Sequence, residues 1–138
     1  SLGQLLPASE IVVVTTPQIA AAEVSERAGR IAHQLKQHII GVIENMSDSA
    51  CAKCGEPIAI FGTGGGAETA KQLSSLVGAD VALIGKIPFA TALREGGDIG
   101  QPIVISDPTC PASEAFAAIV EKITLRPKSL VGVRLSIS

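Results

Sequence analysis

The sequence has no Trp and no Tyr, and its three Phe bring aromatics to only 2% of 138 residues. Without aromatic side chains there is no platform on which nucleobases stack, which excludes single-strand nucleic-acid modules of that kind. Charge is also sparse. Charged residues make up 17% and the formal net charge is −2, so no strongly basic surface exists for unaided DNA or membrane binding. Aliphatic runs are a few residues long, as at Ile11-Val12-Val13-Val14, far short of the roughly 20 apolar residues that a spanning helix needs. The start of the chain has no basic region followed by an apolar stretch. Three cysteines are too few for a disulfide scaffold. No G-x-x-x-x-G-K-[ST] phosphate loop occurs anywhere. What is present is a chain that is 46% apolar, dominated by Val, Ile, Leu and Ala and long enough for one core. This composition implies an α/β domain of the cytoplasm, with no nucleic acid and no membrane among its partners.

The apolar pattern alternates between strand and helix signals. Ile11 to Val14 is a β-branched run without polar alternation, as in a strand buried on both faces. Pro17 suits the first turn of a helix, and Val24, Ala28, Ile31 and Leu35 mark one helical face. His38 to Ile43 reads as a second strand, and Ser47 to Pro57 as a polar loop or small hairpin. Ile58 to Phe61 is a short strand leading into Gly62-Thr63-Gly64-Gly65-Gly66, where a helix opens with Ala70, Leu73 and Leu76 or Val77 inward. Val81 to Ile84 is a further buried strand, Thr91 to Glu95 a short helix, and Ile103 to Ile105 another strand. Pro111 opens a last helix with an apolar stripe of Ala115, Phe116, Ile119, Val120 and Ile123. Residues 126–138 form a C-terminal tail with a strand pattern at Leu130 to Ile137. Strands alternating with helices predict parallel pairing through crossover helices.

Cys51-Ala52-Lys53-Cys54-Gly55 is the sharpest chemical feature. Two thiolates two residues apart bind one metal centre from a tight turn, and Gly55 permits the positive φ that turns backbone N–H groups toward sulfur. Lys53 adds local positive charge that favours thiolate. The pair is half of a four-ligand set. His33 and His38 are not at zinc-ligand spacing, and no second C-x-x-C exists, so a two-fold dimer would complete the set with four cysteines. A redox-active dithiol and an incidental surface pair are the alternatives.

Gly62, Gly64 and Ala67 satisfy a G-x-G-x-x-A spacing before a helix. The acid that should end the next strand in a dinucleotide site is replaced by Gly85-Lys86, so a tight turn or a close backbone approach is the better reading. Asn45, at a strand end, suits a turn or a base edge equally. Arg94, Glu95 and Asp98 read as a solvated helix face, and Cys110 as a free structural thiol.

Taken in order, the motifs Val12-Val13-Val14-Thr15-Thr16-Pro17-Gln18, Gly41-Val42-Ile43-Glu44-Asn45-Met46-Ser47, Cys51-x-x-Cys54-Gly55 and Phe61-Gly62-x-Gly64-Gly65-Gly66 resemble one family. Gly85-x-Ile87-Pro88, Leu93-Arg94-Glu95-Gly96-Gly97-Asp98 and Gly100-x-Pro102-Ile103-Val104 continue the match. The chain is similar, from about Leu2 to Ile123, to the C-terminal half of the Mrp/ApbC iron–sulfur carrier ATPases, MinD relatives with the P-loop NTPase fold. The combined order is specific, although no single motif is.

The resemblance implies a mostly parallel sheet flanked by helices over residues 1–125, with the C-x-x-C loop at 47–57. It implies a homodimer joined through that loop, with Cys51 and Cys54 as ligands of a shared [4Fe–4S] cluster that is delivered to apo iron–sulfur proteins under ATP control. Zinc in place of the cluster would make the pair a structural clasp. Asn45 matches an adenine-reading asparagine, and the stretch at Pro88 would lie beside the base and sugar of the nucleotide. Thr16-Pro17-Gln18 would be a switch-proximal turn. Ala90 stands where the family often has Asp. The Walker A loop and the acidic Walker B segment, both N-terminal in the family, are missing. The chain therefore reads as an excised domain, a truncated product or half of a split protein, and is not expected to hydrolyse ATP alone, lacking the phosphate-cradling amides, lysine and Mg²⁺ ligands.

Overall fold

The computed structural model describes residues 5–6, 9–51 and 53–126, with Ala22 and Val24 described by backbone alone. The strand pattern at Leu130 to Ile137 lies outside these residues. Three parallel strands, β1 (Ile11–Thr15), β2 (Ile39–Ser47) and β5 (Leu83–Pro88), form a sheet in the order β1-β2-β5. A two-stranded antiparallel hairpin, β3 (Ser49–Ala50) and β4 (Pro57–Ile58), follows β2 directly. The helices are α1 (Ala22–Gln34), α2 (Gly65–Val77), α3 (Thr91–Ile99), the single turn α4 (Ile103–Ser106) and α5 (Pro111–Leu125).

The sheet is covered on one face by α1 and α2 and, at β5, on the other by α5; β1, whose unalternated aliphatic run predicts burial on both faces, leaves Val14 60% exposed on the second. On one side α1 and α2 enclose Val13, Ala32, Ile39, Val42, Ala70, Leu73 and Val81. On the other, α5 lays Ile119 against Ile84 and Ile87, with Ile40, Ile43, Phe116 and Ile123 around them. Lys122 of α5 donates to the Ile84 carbonyl oxygen at 2.7 Å and so covers part of an edge strand. Ile119 is almost fully buried, and Ile119→Val removes one methyl group. It is expected to cost about 1 kcal/mol in denaturant unfolding with an unchanged m-value.

Several elements differ from the sequence pattern for identifiable reasons. The inner face of α1 is Ser25, Gly29 and Ala32, whereas Ile31 is 55% exposed. Small residues win because α1 and α2 approach closely: a Cβ at Gly29 would lie 2.4 Å from Leu73 Cδ2. Val120 of the α5 stripe likewise faces outward. The strand expected at Val81 to Ile84 runs from Leu83 to Pro88, because parallel pairing with β2 continues through the polar pair Glu44 and Lys86. The short strand expected at Ile58 to Phe61 is confined to Pro57–Ile58, held by Ser49–Ala50. The helix at Thr91 extends to Ile99 and ends at Gly100, whose φ is +72°. Ile103 to Ile105 forms a helical turn rather than a strand: Ile103 is buried and the Ile105 side chain points to solvent. A run of three apolar residues has no period by which strand and helix can be told apart.

Candidate functional site

The chemistry-bearing residues gather at the C-terminal ends of β2 and β5, the edge of a parallel sheet where ligands characteristically bind. Two lesser features sit there side by side, the cysteine hairpin and a groove at Asn45.

Cys51 and Cys54 lie on the turn that joins β3 to β4. Cys51 N–H donates to Glu56 O at 2.8 Å, and Gly55 N–H donates to Cys51 O at 2.9 Å. Gly55 takes φ +74°, a conformation that costs a side-chain-bearing residue energy. This turn directs backbone donors at sulfur. The Cys54 N–H foremost, then the Lys53 N–H and the Cys54 thiol, hold the Cys51 thiol below the usual cysteine range. All three cysteines are free, with Cys54 exposed and Cys51 half-buried. Among the described residues no group of three or more His, Cys, Asp or Glu side chains is placed to hold a metal ion. The pair thus stands without a third His, Cys, Asp or Glu beside it among the described residues. Because its donors favour thiolate, Cys51 is expected to alkylate with iodoacetamide at a midpoint pH below that of a cysteine peptide. Mass-resolved labelling across a pH series checks this.

Asn45 and Pro88 are brought together in a groove of about 160 Å³, with Met46, Phe89, Leu93 and Arg94 also lining it. Asn45 Oδ1 accepts from the Met46 N–H at 2.9 Å, and Met46 itself has φ +58°. A second, mostly apolar cleft of about 460 Å³ separates the hairpin (Asp48, Gly55, Pro57) from Ile103 and Cys110. The segment Pro88 to Ala90 walls both spaces, and Phe61 meets Phe89 edge-on at 5.8 Å between ring centroids. Arg94 pairs with Glu95 and Asp98 on the exposed surface of α3, as a solvated helix face does.

Amides of the glycine run are engaged within the chain at Gly62, Gly65 and Gly66. Gly65 N–H donates to Pro17 O at 2.9 Å, and Gly66 N–H to Glu44 Oε2 at 2.7 Å. The N-terminus of α2 is thus occupied by the chain's own carboxylate, which is 1% exposed. Burial pushes the Glu44 carboxyl up. The Ser47 hydroxyl, the Gly66 N–H and Lys86 outweigh that and leave it below the usual carboxylate range. Lys86 Nζ lies 3.5 Å from Glu44 Oε1. Sequence reasoning missed Glu44, Ser47 and Lys86. The available signal was a charged residue inside an otherwise apolar strand, which is rarely buried without a partner.

Comparison with known proteins gives these residues a family. The model of the ParA-type "NUBPL iron-transfer P-loop NTPase" matches residues 1–124. The chain belongs to this family. Relatives of this chain include the iron-sulfur cluster carrier protein of Mycobacterium leprae, 47% identical over 99% of this chain and 36% of that protein. The mouse iron-sulfur cluster transfer protein NUBPL is 31% identical over 94% of this chain and 39% of its own length. The chain thus spans little more than a third of the relatives it matches. Among solved structures, the Pyrococcus furiosus cell division ATPase MinD superposes with a TM-score of 0.60 at 22% identity, over 83% of this chain and 42% of that one. MinD of Pyrococcus horikoshii in complex with Mg-ADP gives 0.60 at 23% identity, over 93% and 44%. These likenesses establish the fold, a parallel P-loop NTPase-type sheet flanked by helices. Among the described residues, no helix is long and apolar enough to cross a membrane.

Proposed function

We propose that this chain is the cluster-holding part of an iron–sulfur cluster carrier. Cys51 and Cys54 bind one edge of a [4Fe–4S] cluster, and the same pair from a second copy binds the other. The observation that carries the reading is the turn itself: two free, accessible thiols with backbone N–H groups directed at the Cys51 sulfur, and no further ligand group among the described residues. The relatives' names as iron–sulfur cluster carrier and transfer proteins support it. The cluster is cargo, passed on to apo iron–sulfur proteins, and an exposed site of low coordination by each copy suits release. Free thiols also fit a reducing compartment, the cytoplasm.

The groove at Asn45 and Pro88 is the base side of an ATP site. Its phosphate side belongs to the part of the relatives' length that this chain does not span, so ATP hydrolysis is not expected of this chain alone.

Anaerobic reconstitution with iron and sulfide, followed by native mass measurement, tests the reading. The expected product is a dimer with about one cluster per two chains and broad visible thiolate-to-iron absorption. A dimer holding about one zinc ion that iron does not replace would instead make the pair a structural clasp. A monomer that cycles between dithiol and disulfide at a potential well above about −300 mV would make it a redox protein.

A further inference from the structure

We infer that Glu44 and Ser47 are positioning residues, whose mutual hydrogen bond closes a bulge in β2 and fixes the Asn45 side chain at the groove. The inference rests on the base-side reading of that groove and adds residues to it.

The bulge follows from the pairing register. Glu44 is opposite Lys86 and Ser47 opposite Pro88, so β2 has one more residue between these pairs than β5 has. The surplus must leave the ladder, and its direction depends on how the two ends are held. Both are pinned. Glu44 Oε2 accepts from Gly66 N–H at 2.7 Å, which ties the first end to α2. The Ser47 carbonyl oxygen accepts from Phe89 N–H at 3.0 Å, which ties the second to the segment after β5. The Ser47 hydroxyl donates to Glu44 Oε1 at 2.6 Å and bridges one end to the other.

Between these ends Met46 takes φ +58°, a conformation unfavourable for a residue with a side chain that persists only when its surroundings impose it. The Met46 N–H then donates to Asn45 Oδ1. A backbone N–H can only donate, so the oxygen of the Asn45 amide faces Met46. The Nδ2 donors are left for a ligand, which must bring an acceptor such as a purine ring nitrogen. The bond between Glu44 and Ser47 thus acts at the groove without touching a ligand there.

The test uses amide exchange and side-chain NMR of the 138-residue chain, with AMP as the probe. Ser47→Ala is expected to speed Met46 amide exchange about fivefold to tenfold, shift the Asn45 Nδ2 signals and weaken AMP binding about fivefold. Ser74→Ala is the matched control. It removes a hydroxyl that accepts from Val81 N–H at 2.9 Å, remote from the groove, and should leave all three readouts as in the wild type. Equal effects from the two variants, or an unmoved Asn45 signal in Ser47→Ala, overturn the inference.

A check without a variant is the wild-type Ser47 hydroxyl proton. Bonded to a buried carboxylate, it should exchange slowly enough to be seen at low temperature, and a fast-averaged signal also overturns the inference. If AMP leaves the groove signals unmoved while the Met46 and Asn45 readouts behave as stated, the base-side reading fails and the positioning role stands.

Discussion

Anaerobic reconstitution of Cys51→Ser or Cys54→Ser is expected to yield no bound cluster, against about one per two wild-type chains. On the proposed assignment each copy contributes two thiolates, so in a symmetric pair one substitution removes two of the four ligands. Serine cannot compensate: its hydroxyl is not deprotonated near neutral pH, and its hard oxygen is a poor match for iron–sulfur centres. Cys51→Ser also wastes the N–H donors of Cys54 and Lys53, which are arranged for a sulfur anion. Iron and sulfide analysis with native mass measurement reads the result. Cys110 lies across the apolar cleft with its thiol next to the Ser113 hydroxyl at 3.3 Å, and Cys110→Ser should retain the cluster. A cluster that survives Cys54→Ser and disappears in Cys110→Ser would refute the assignment.

The parts of this site that were legible in the sequence depend on neighbours in the chain. The C-x-x-C-G pattern is read within five residues, and the need for positive φ at Gly55 is met by the turn as expected. The parallel pairing was equally legible from strands alternating with helices, although β1 leaves Val14 60% exposed where its aliphatic run predicts burial on both faces. What could not be read depends on contacts between distant segments. Nothing local to Glu44 reveals that its carboxylate ends on Gly66, or that the Gly65 and Gly66 amides are spent on Pro17 and Glu44 instead of an anion. The inner face of α1 departs from its apolar pattern for the same reason. Ile31 looks like a core residue until the closeness of α2 requires Gly29 and Ala32 there instead. Pattern reading weighs side-chain hydrophobicity, and a close helix pair selects for small size.

Gly66→Ala is expected to destabilise the chain by about 3 kcal/mol, which for a protein of this size lowers the melting temperature by roughly 10 °C. The added Cβ would lie 2.7 Å from Glu44 Oε2, 2.8 Å from Glu44 Cβ and 3.0 Å from Leu83 Cδ1. Glu44 cannot yield, being held by Ser47 and almost wholly buried, so α2 must shift and loosen the Gly66 N–H bond as well. The small gain in helix propensity from Gly to Ala, about 1 kcal/mol at most, does not offset this. Glu44→Gln tests the same contact from the other side. It keeps the shape and removes the charge, at an expected cost of about 2 kcal/mol at neutral pH. Its pH dependence has a definite sign. The folded-state pKa of Glu44 is lowered, so its carboxylate stabilises the fold fully above the unfolded glutamate value of about 4.3, and the benefit is lost as pH falls through the folded value. Denaturant unfolding at a series of pH values should therefore show the wild type and Glu44→Gln converging in acid. A difference that stays constant down to pH values below the folded-state pKa would mean that the carboxylate is not held by its donors in the folded chain.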